Sequence, residues 1–173
     1  KKLYITGGIG SRSQGEGFGP GYELHNHNAY CETCASIANV YWNYRMFLAT
    51  GDAKYVDVLE RALYNGVISG VSLGGDNFFY DNPLESMGQH LRQTWFGCAC
   101  CPGNITRFMA SVPGYLYAVQ GKDIYVNLYV QGTAQVETSA GEIILEQVTK
   151  HPWEGNIKLI VNPAVKTEFT LKL

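Results

Sequence analysis

The five cysteines of this 173-residue chain lie in two short clusters, Tyr30-Cys31-Glu32-Thr33-Cys34 and Cys98-Ala99-Cys100-Cys101-Pro102. Adjacent cysteines such as Cys100 and Cys101 are awkward to join to each other in a disulfide but suit a shared soft metal such as zinc. The first cluster adds a carboxylate, Glu32, that can complete a four-ligand shell. An odd number of cysteines also leaves one over from any closed disulfide framework, which favours thiolate chemistry. Two ligand sets compete. Cys31-x-x-Cys34 with Cys98-x-x-Cys101 has the spacing of a structural tetrathiolate zinc site, with a longer intervening segment than a zinc ribbon, and makes Cys100 a spectator. Glu32, Cys34, Cys100 and Cys101 form the second set, leaving Cys31 and Cys98 as small buried hydrophobes. A third reading makes all five simply buried thiols.

Backbone geometry constrains the second set without selecting it. Residues i and i+2 lie on nearly opposite sides of a helix but on the same side of an extended segment. Glu32 and Cys34 can therefore share a metal only where a helix has not properly begun. Thr33 as N-cap would put Glu32 outside the helix and Cys34 in its first turn, where the helix dipole favours a thiolate.

The next candidate is Glu16. Residues 7–28 hold seven Gly and a Pro, a density of turn formers that opposes regular structure and predicts a long functional loop. Within it, Glu16 stands between Gly15 and Gly17, beside Phe18. It suits a site wall, and equally a solvated loop. His25 and His27 are read as loop residues without a role.

The elements that must position these groups follow from periodicity. Ile37, Val40, Tyr41, Tyr44, Phe47 and Leu48 recur at helical spacing, and Thr50-Gly51 ends the run. Asp52 caps a second helix with Tyr55, Val58, Leu59, Ala62 and Leu63 on its apolar face, stopped by Asn65-Gly66; the pair predicts an antiparallel α-hairpin. Val71 to Leu73 and Asn77 to Tyr80 read as strands around a Gly-Gly-Asp turn, leading to the second cysteine cluster. After Pro102, Ile105, Phe108, Met109 and Val112 mark a third helix broken at Pro113-Gly114, followed by an apolar turn through Tyr117. Beyond Gly121 the period becomes two, with Ile124, Val126, Leu128 and Val130 on one face. Further strands are expected at Glu142 to Val148, Asn156 to Val161 and Thr167 to Leu173. This switch from helix to strand predicts a domain boundary near residue 121.

Thirteen Lys and Arg against fifteen Asp and Glu, with no basic stripe, give no footprint for nucleic acid. No apolar run approaches the ~20 residues that span a bilayer. Twelve Tyr and three Trp suit the stacking walls of carbohydrate sites and serve packing equally well. The chain starts without Met and reads as an excerpt of a longer protein.

Taken together, Tyr4-Ile5-Thr6-Gly7-Gly8-Ile9-Gly10, Gly15-Glu16-Gly17-Phe18, Ala29 to Ser36 around Glu32-Thr33-Cys34, Phe78-Phe79-Tyr80-Asp81-Asn82-Pro83-Leu84-Glu85 and Trp95 to Asn104 around Cys100-Cys101-Pro102 resemble, in that order, the core of glycoside hydrolase family 127, the beta-L-arabinofuranosidases. The likeness covers roughly residues 3–135. It departs in a short stretch between Leu84 and Trp95 and in Gly103, where a second proline is common. The resemblance implies the C-terminal part of an α/α six-fold barrel over residues 1–120, followed from 121 to 173 by the start of an antiparallel β-sandwich domain. It implies a retaining exo-acting glycoside hydrolase that removes beta-linked L-arabinofuranose, or a related sugar, from plant-derived glycans.

By motif, Cys100 would be the nucleophile and Glu16 the acid/base. Glu32, Cys34, Cys100 and Cys101 would hold zinc, and Tyr80 would lie against the sugar. Asp81 and Glu85 stand near enough in sequence to meet sugar hydroxyls. The expected partner is a carbohydrate, with no nucleic acid and no membrane; a homodimer of the full-length protein is compatible with this. Cysteine usage fits a bacterial cytoplasm, or a periplasm with zinc-protected thiols. The rival reading is a non-catalytic module with a structural metal on Cys31, Cys34, Cys98 and Cys101 and a β region that binds glycan or protein.

Overall fold

The computed structural model describes residues 1–173, which form two compact units, Lys1–Ala110 and Ser111–Leu173. In the first, α1 (Thr33–Thr50) and α2 (Lys54–Ala62) form the expected α-hairpin. Gly51 closes α1 in the left-handed conformation at φ 68°, its N–H reaching the Phe47 carbonyl at 2.7 Å. Asp52 caps α2, its Oδ1 accepting the Lys54 N–H at 3.0 Å.

Asn65-Gly66 does not stop the second helix. The chain continues through a π turn, Leu63–Val67, and a 3-10 turn, Ile68–Gly70. Gly66 instead marks a close approach to α1, because a Cβ there would lie 2.5 Å from Ser36 Oγ. Ile37, Val40 and Phe47 of α1 are buried, as are Leu59 and Ala62 of α2 and Leu63 and Val67 beyond it, whereas Leu48 is exposed. The expected strands at 71–80 are reduced to single bridges, Val71 to Phe78 and Phe78 to Gln93.

The third helix, α3 (Cys100–Met109), begins at Cys100 instead of after Pro102. Pro102 is tolerated there because first-turn N–H groups have no intrahelical acceptor. Phe108 is fully buried and meets Tyr41 of α1 edge-on at 5.5 Å. Phe108→Ala would leave a ring-sized void. It is expected to lower the unfolding free energy by about 3–5 kcal/mol, read from urea denaturation of the full chain.

The second unit holds two three-stranded sheets. β1 (Tyr117–Gln120) pairs antiparallel with β2 (Asp123–Val126), and β2 pairs in parallel with β6 (Thr170–Lys172). β3 (Gly132–Thr138), β4 (Gly141–Thr149) and β5 (Ile157–Pro163) form an antiparallel meander. Ile124, Val136, Ile143 and Leu145 come from both sheets and share one buried cluster, so the sheets pack face to face.

Three features differ from the sequence expectation. Tyr117 opens a strand instead of ending a helical turn. β3 was not expected, its polar residues hiding the alternation that buries Val136. β6 runs parallel to β2, because the whole β3–β5 meander intervenes and serves as the crossover that a parallel pair needs. The three α-helices of the first unit are too few to close a six-fold α/α barrel. No helix is long and apolar enough to cross a membrane.

Candidate active site

The loop that carries Glu16 is a series of closed turns. Arg12 and Gly17 exchange backbone hydrogen bonds at 3.2 and 3.1 Å, and the turn between them places Gly15 at φ 70° and Glu16 at φ 49°. Gly15 has the residue type its conformation demands. Glu16 does not, and such strained positions concentrate at functional sites. The base of the turn is fixed by a two-point contact from Arg12 to Glu23, both bonds at 2.7 Å. Glu16 itself is exposed, and its Oε1 accepts a hydrogen bond from the Tyr30 hydroxyl at 3.2 Å. Burial above all, with the neighbouring charge of Glu32 and this bond to Glu16, pushes the Tyr30 phenol above its usual range, so it stays a donor.

Tyr30 leads into the first cysteine cluster. Cys31 sits at φ 41°, a left-handed conformation that costs a branched or ordinary side chain about 1–3 kcal/mol. Its side chain joins the buried Tyr4 and Ala29 cluster, close to Gly8, where an added Cβ would lie 3.0 Å from the sulfur. Burial raises its thiol to about 12. Glu32 follows as the N-cap residue of α1 at φ −54°, ψ 138°, and Thr33 is the first helical residue. Thr33 is therefore not the N-cap; its hydroxyl donates to the Phe79 carbonyl instead, at 3.0 Å. Glu32 is extended and Cys34 is in the first turn, the arrangement that lets an i, i+2 pair face the same side.

The second cluster supplies two more groups from the first turn of α3. Cys34 Sγ lies 3.1 Å from Cys100 Sγ and 3.4 Å from Cys101 Sγ, and Glu32 Oε1 lies 3.6 and 3.5 Å from the same two sulfurs. One ligand atom from each of the four residues falls within 4.8 Å of every other. A tetrahedral metal with bonds of ~2.3 Å to sulfur places its corners about 3.7 Å apart, so the set has the size of a metal cage. Its charge distribution also fits a cation. The Cys34 thiol is lowered to about 7, first by its hydrogen bond with Cys101, with Cys100 and Asn104 adding to it. Cys100 is raised to about 11, first by its hydrogen bond with Cys34, and Cys101 is raised for the same leading reason. Without a central positive charge one thiolate forms easily and then opposes the others.

The sequence-predicted residues divide cleanly. Glu32, Cys34, Cys100 and Cys101 are brought together. Cys31 is turned into the loop core and Cys98 is exposed, so the tetrathiolate set of Cys31, Cys34, Cys98 and Cys101 is not assembled. Tyr80 borders the cluster. Its carbonyl accepts the Thr33 N–H at 2.9 Å and faces Cys101 Sγ at 3.7 Å, and its ring meets Phe96 edge-on at 5.4 Å. Burial first, then the hydrogen bond from its hydroxyl to Cys100, holds the Tyr80 phenol protonated above its usual range. His25, His27 and Glu85 are exposed; the Asp81 carbonyl is taken by His90 Nε2 at 2.9 Å.

Tyr30, Asn82 and Asn104 were not singled out from sequence. Asn104 was legible in principle, standing three and four residues after Cys101 and Cys100 and hence on their helix face. Its amide reaches Cys34 while Arg107 Nη2 donates to its Oδ1 at 2.6 Å.

A helical unit gathers three thiols and a carboxylate at its helix N-termini, and a β-sheet unit follows it in the chain. The chain belongs to glycoside hydrolase family 127, the beta-L-arabinofuranosidases. The GH127 catalytic-domain family model matches residues 1–114 and the GH127 middle-domain model residues 123–173. A non-reducing end beta-L-arabinofuranosidase of Bifidobacterium longum subsp. longum is 37% identical over 99% of this chain, which spans 28% of that protein. Among solved structures, a GH127 beta-L-arabinofuranosidase from Geobacillus stearothermophilus T6 is 45% identical with a TM-score of 0.93, over 99% of this chain and 29% of that one. A GH127 beta-arabinofuranosidase of solved structure is 60% identical with a TM-score of 0.90, over 93% of this chain and 25% of that one. The chain thus spans between a quarter and a third of these relatives.

Proposed function

We propose that this chain carries the reacting groups of a retaining exo-glycosidase that releases beta-linked L-arabinofuranose, or a closely related sugar, from plant-derived glycans. The observation that carries the reading is the convergence of Glu32, Cys34, Cys100 and Cys101, each with one ligand atom within 4.8 Å of the rest. The names of the relatives support the substrate class. On this reading the first unit, Lys1–Ala110, is part of the α/α barrel of the family, and the second, Ser111–Leu173, begins its sandwich domains.

Glu32, Cys34, Cys100 and Cys101 would hold the metal, and three thiols with one carboxylate suit zinc. Zinc, when bound, supplies the positive charge that keeps the cluster thiols ionised near neutral pH. Cys100 Sγ then attacks the anomeric carbon as the glycosidic C–O bond breaks, while Glu16 gives its proton to the departing oxygen. In the second half, Glu16 takes a proton from water, the water oxygen attacks the same carbon, and the C–S bond breaks to restore the Cys100 thiolate. Two displacements at one carbon retain configuration. Tyr80, beside Cys100, would lie against the sugar ring.

Elemental mass spectrometry of the full chain, purified without added metal, tests the ligand set. About one zinc per chain is expected. Glu32→Gln should weaken retention by roughly tenfold or more, since it replaces a charged ligand with a neutral one. Cys31→Ala should keep the metal. Zinc lost with Cys31→Ala and indifferent to Glu32→Gln would sink the assignment.

A further inference from the structure

The Glu32 corner is held by a second stretch of the chain. The segment Phe79 to Asn82 lies along Tyr30 to Thr33. Thr33 N–H donates to the Tyr80 carbonyl at 2.9 Å, Asn82 N–H donates to the Tyr30 carbonyl at 2.9 Å, and the Thr33 hydroxyl donates to the Phe79 carbonyl at 3.0 Å. The Asn82 side chain closes this zipper. Its Nδ2 donates to the Cys31 carbonyl at 3.0 Å and to Thr33 Oγ1 at 3.0 Å, using both of its amide hydrogens on the residues that flank Glu32. Cys31 is fixed from its other side as well, by its N–H to the Gly10 carbonyl at 2.8 Å.

These contacts matter because the corner has a conformation that the sequence does not favour by itself. Cys31 is left-handed without being Gly or Asn, Glu32 is extended, and Thr33 is helical. Only this succession turns Cys31 into the loop core while pointing Glu32 and Cys34 at one centre. A strained residue persists where its surroundings over-determine it.

We infer that Asn82 is a positioning residue for the metal site: its amide clamps the Cys31 carbonyl and the Thr33 hydroxyl, and so sets the Glu32 carboxylate against the three sulfurs. The inference rests on the proposed Glu32, Cys34, Cys100 and Cys101 ligand set. Because Asn82 and Tyr80 stand two residues apart on one segment, the same clamp ties the Tyr80 ring to the metal corner. Groups that orient metal ligands in this way typically set affinity by 10–100-fold.

The test is zinc affinity of the full chain, measured against a competing chelator, with circular dichroism and urea denaturation alongside. Asn82→Ala is expected to bind zinc about 10–100-fold more weakly while keeping its helix content. Asn82→Asp, the same size but without N–H donors, should fall as far. Phe108→Ala, destabilising but remote from the clamp, should bind zinc as the wild type does while folded. Affinity retained by both Asn82 variants, or by Asn82→Asp alone, would overturn the inference, the second result assigning Asn82 to packing. Should neither fold, Thr33→Val removes the clamped hydroxyl and is expected to weaken zinc binding, an unchanged affinity again overturning the idea. A wild-type chain that takes no zinc would bring down the ligand assignment itself, a failure distinct from equal affinities in wild type and variants.

Discussion

Cys100→Ser is expected to reduce turnover of an aryl beta-L-arabinofuranoside by about 10⁴-fold or more in the intact enzyme, the scale on which nucleophile removal acts. That loss corresponds to about 5.5 kcal/mol of transition-state stabilisation. A serine hydroxyl keeps its proton near neutral pH, and its oxygen is a poorer nucleophile toward carbon than the sulfur it replaces. Loss of rate alone would not separate a nucleophile from a metal ligand, since Cys100 is proposed to be both. The deciding measurement is therefore covalent. Wild-type enzyme quenched during turnover and digested should show a pentosyl adduct on the peptide that contains Cys100, and Cys100→Ser should show none. An adduct on Glu32, or wild-type rates for Cys100→Ser, would remove Cys100 from the role.

How much of this site could be read from the sequence follows from the range of each interaction. The α-hairpin was legible because its apolar period is local, and both ends carry their own stop and start signals, Gly51 and Asp52. The Glu32, Cys34, Cys100 and Cys101 cluster was legible only as one of two alternatives. Cys31 and Cys34 have the better-known spacing, and what removes Cys31 is a single backbone dihedral, φ 41°, set by bonds to Gly10 and Asn82 that are distant in sequence. Thr33 is a possible N-cap by local rules and is not one for a related reason. Its hydroxyl is taken by Phe79, a partner 46 residues away, and the cap position passes to Glu32. Gly66 looked like a helix stop because glycine usually is one; here it is the contact point with Ser36, which no local pattern reveals. The β3 strand escaped because its outward face is polar throughout and only Val136 is buried. At Cys31, Thr33 and Gly66 a long-range contact overrode a sound local rule.

Glu16→Ala should separate the two halves of the reaction. Removing a general acid typically costs 10²–10⁴-fold, and the cost falls where the leaving group needs no proton. For a glycoside with a poor alkyl leaving group, kcat/KM is expected to drop by about 10³-fold. For an activated nitrophenyl glycoside the first step should survive with little loss. The second step should then limit turnover, because no carboxylate remains to deprotonate water, and the pentosyl adduct on Cys100 should accumulate. Azide, which needs no base, is expected to restore turnover and to give a glycosyl azide of retained configuration. The geometry sets the companion expectation for Tyr30. Its hydroxyl is the hydrogen-bond donor to Glu16 Oε1, at 3.2 Å, so Tyr30→Phe should disturb the poor leaving group more than the activated one, in the same direction as Glu16→Ala but less strongly. Equal losses of Glu16→Ala on both substrates, with no rescue by azide, would mean that Glu16 shapes the pocket without transferring the proton.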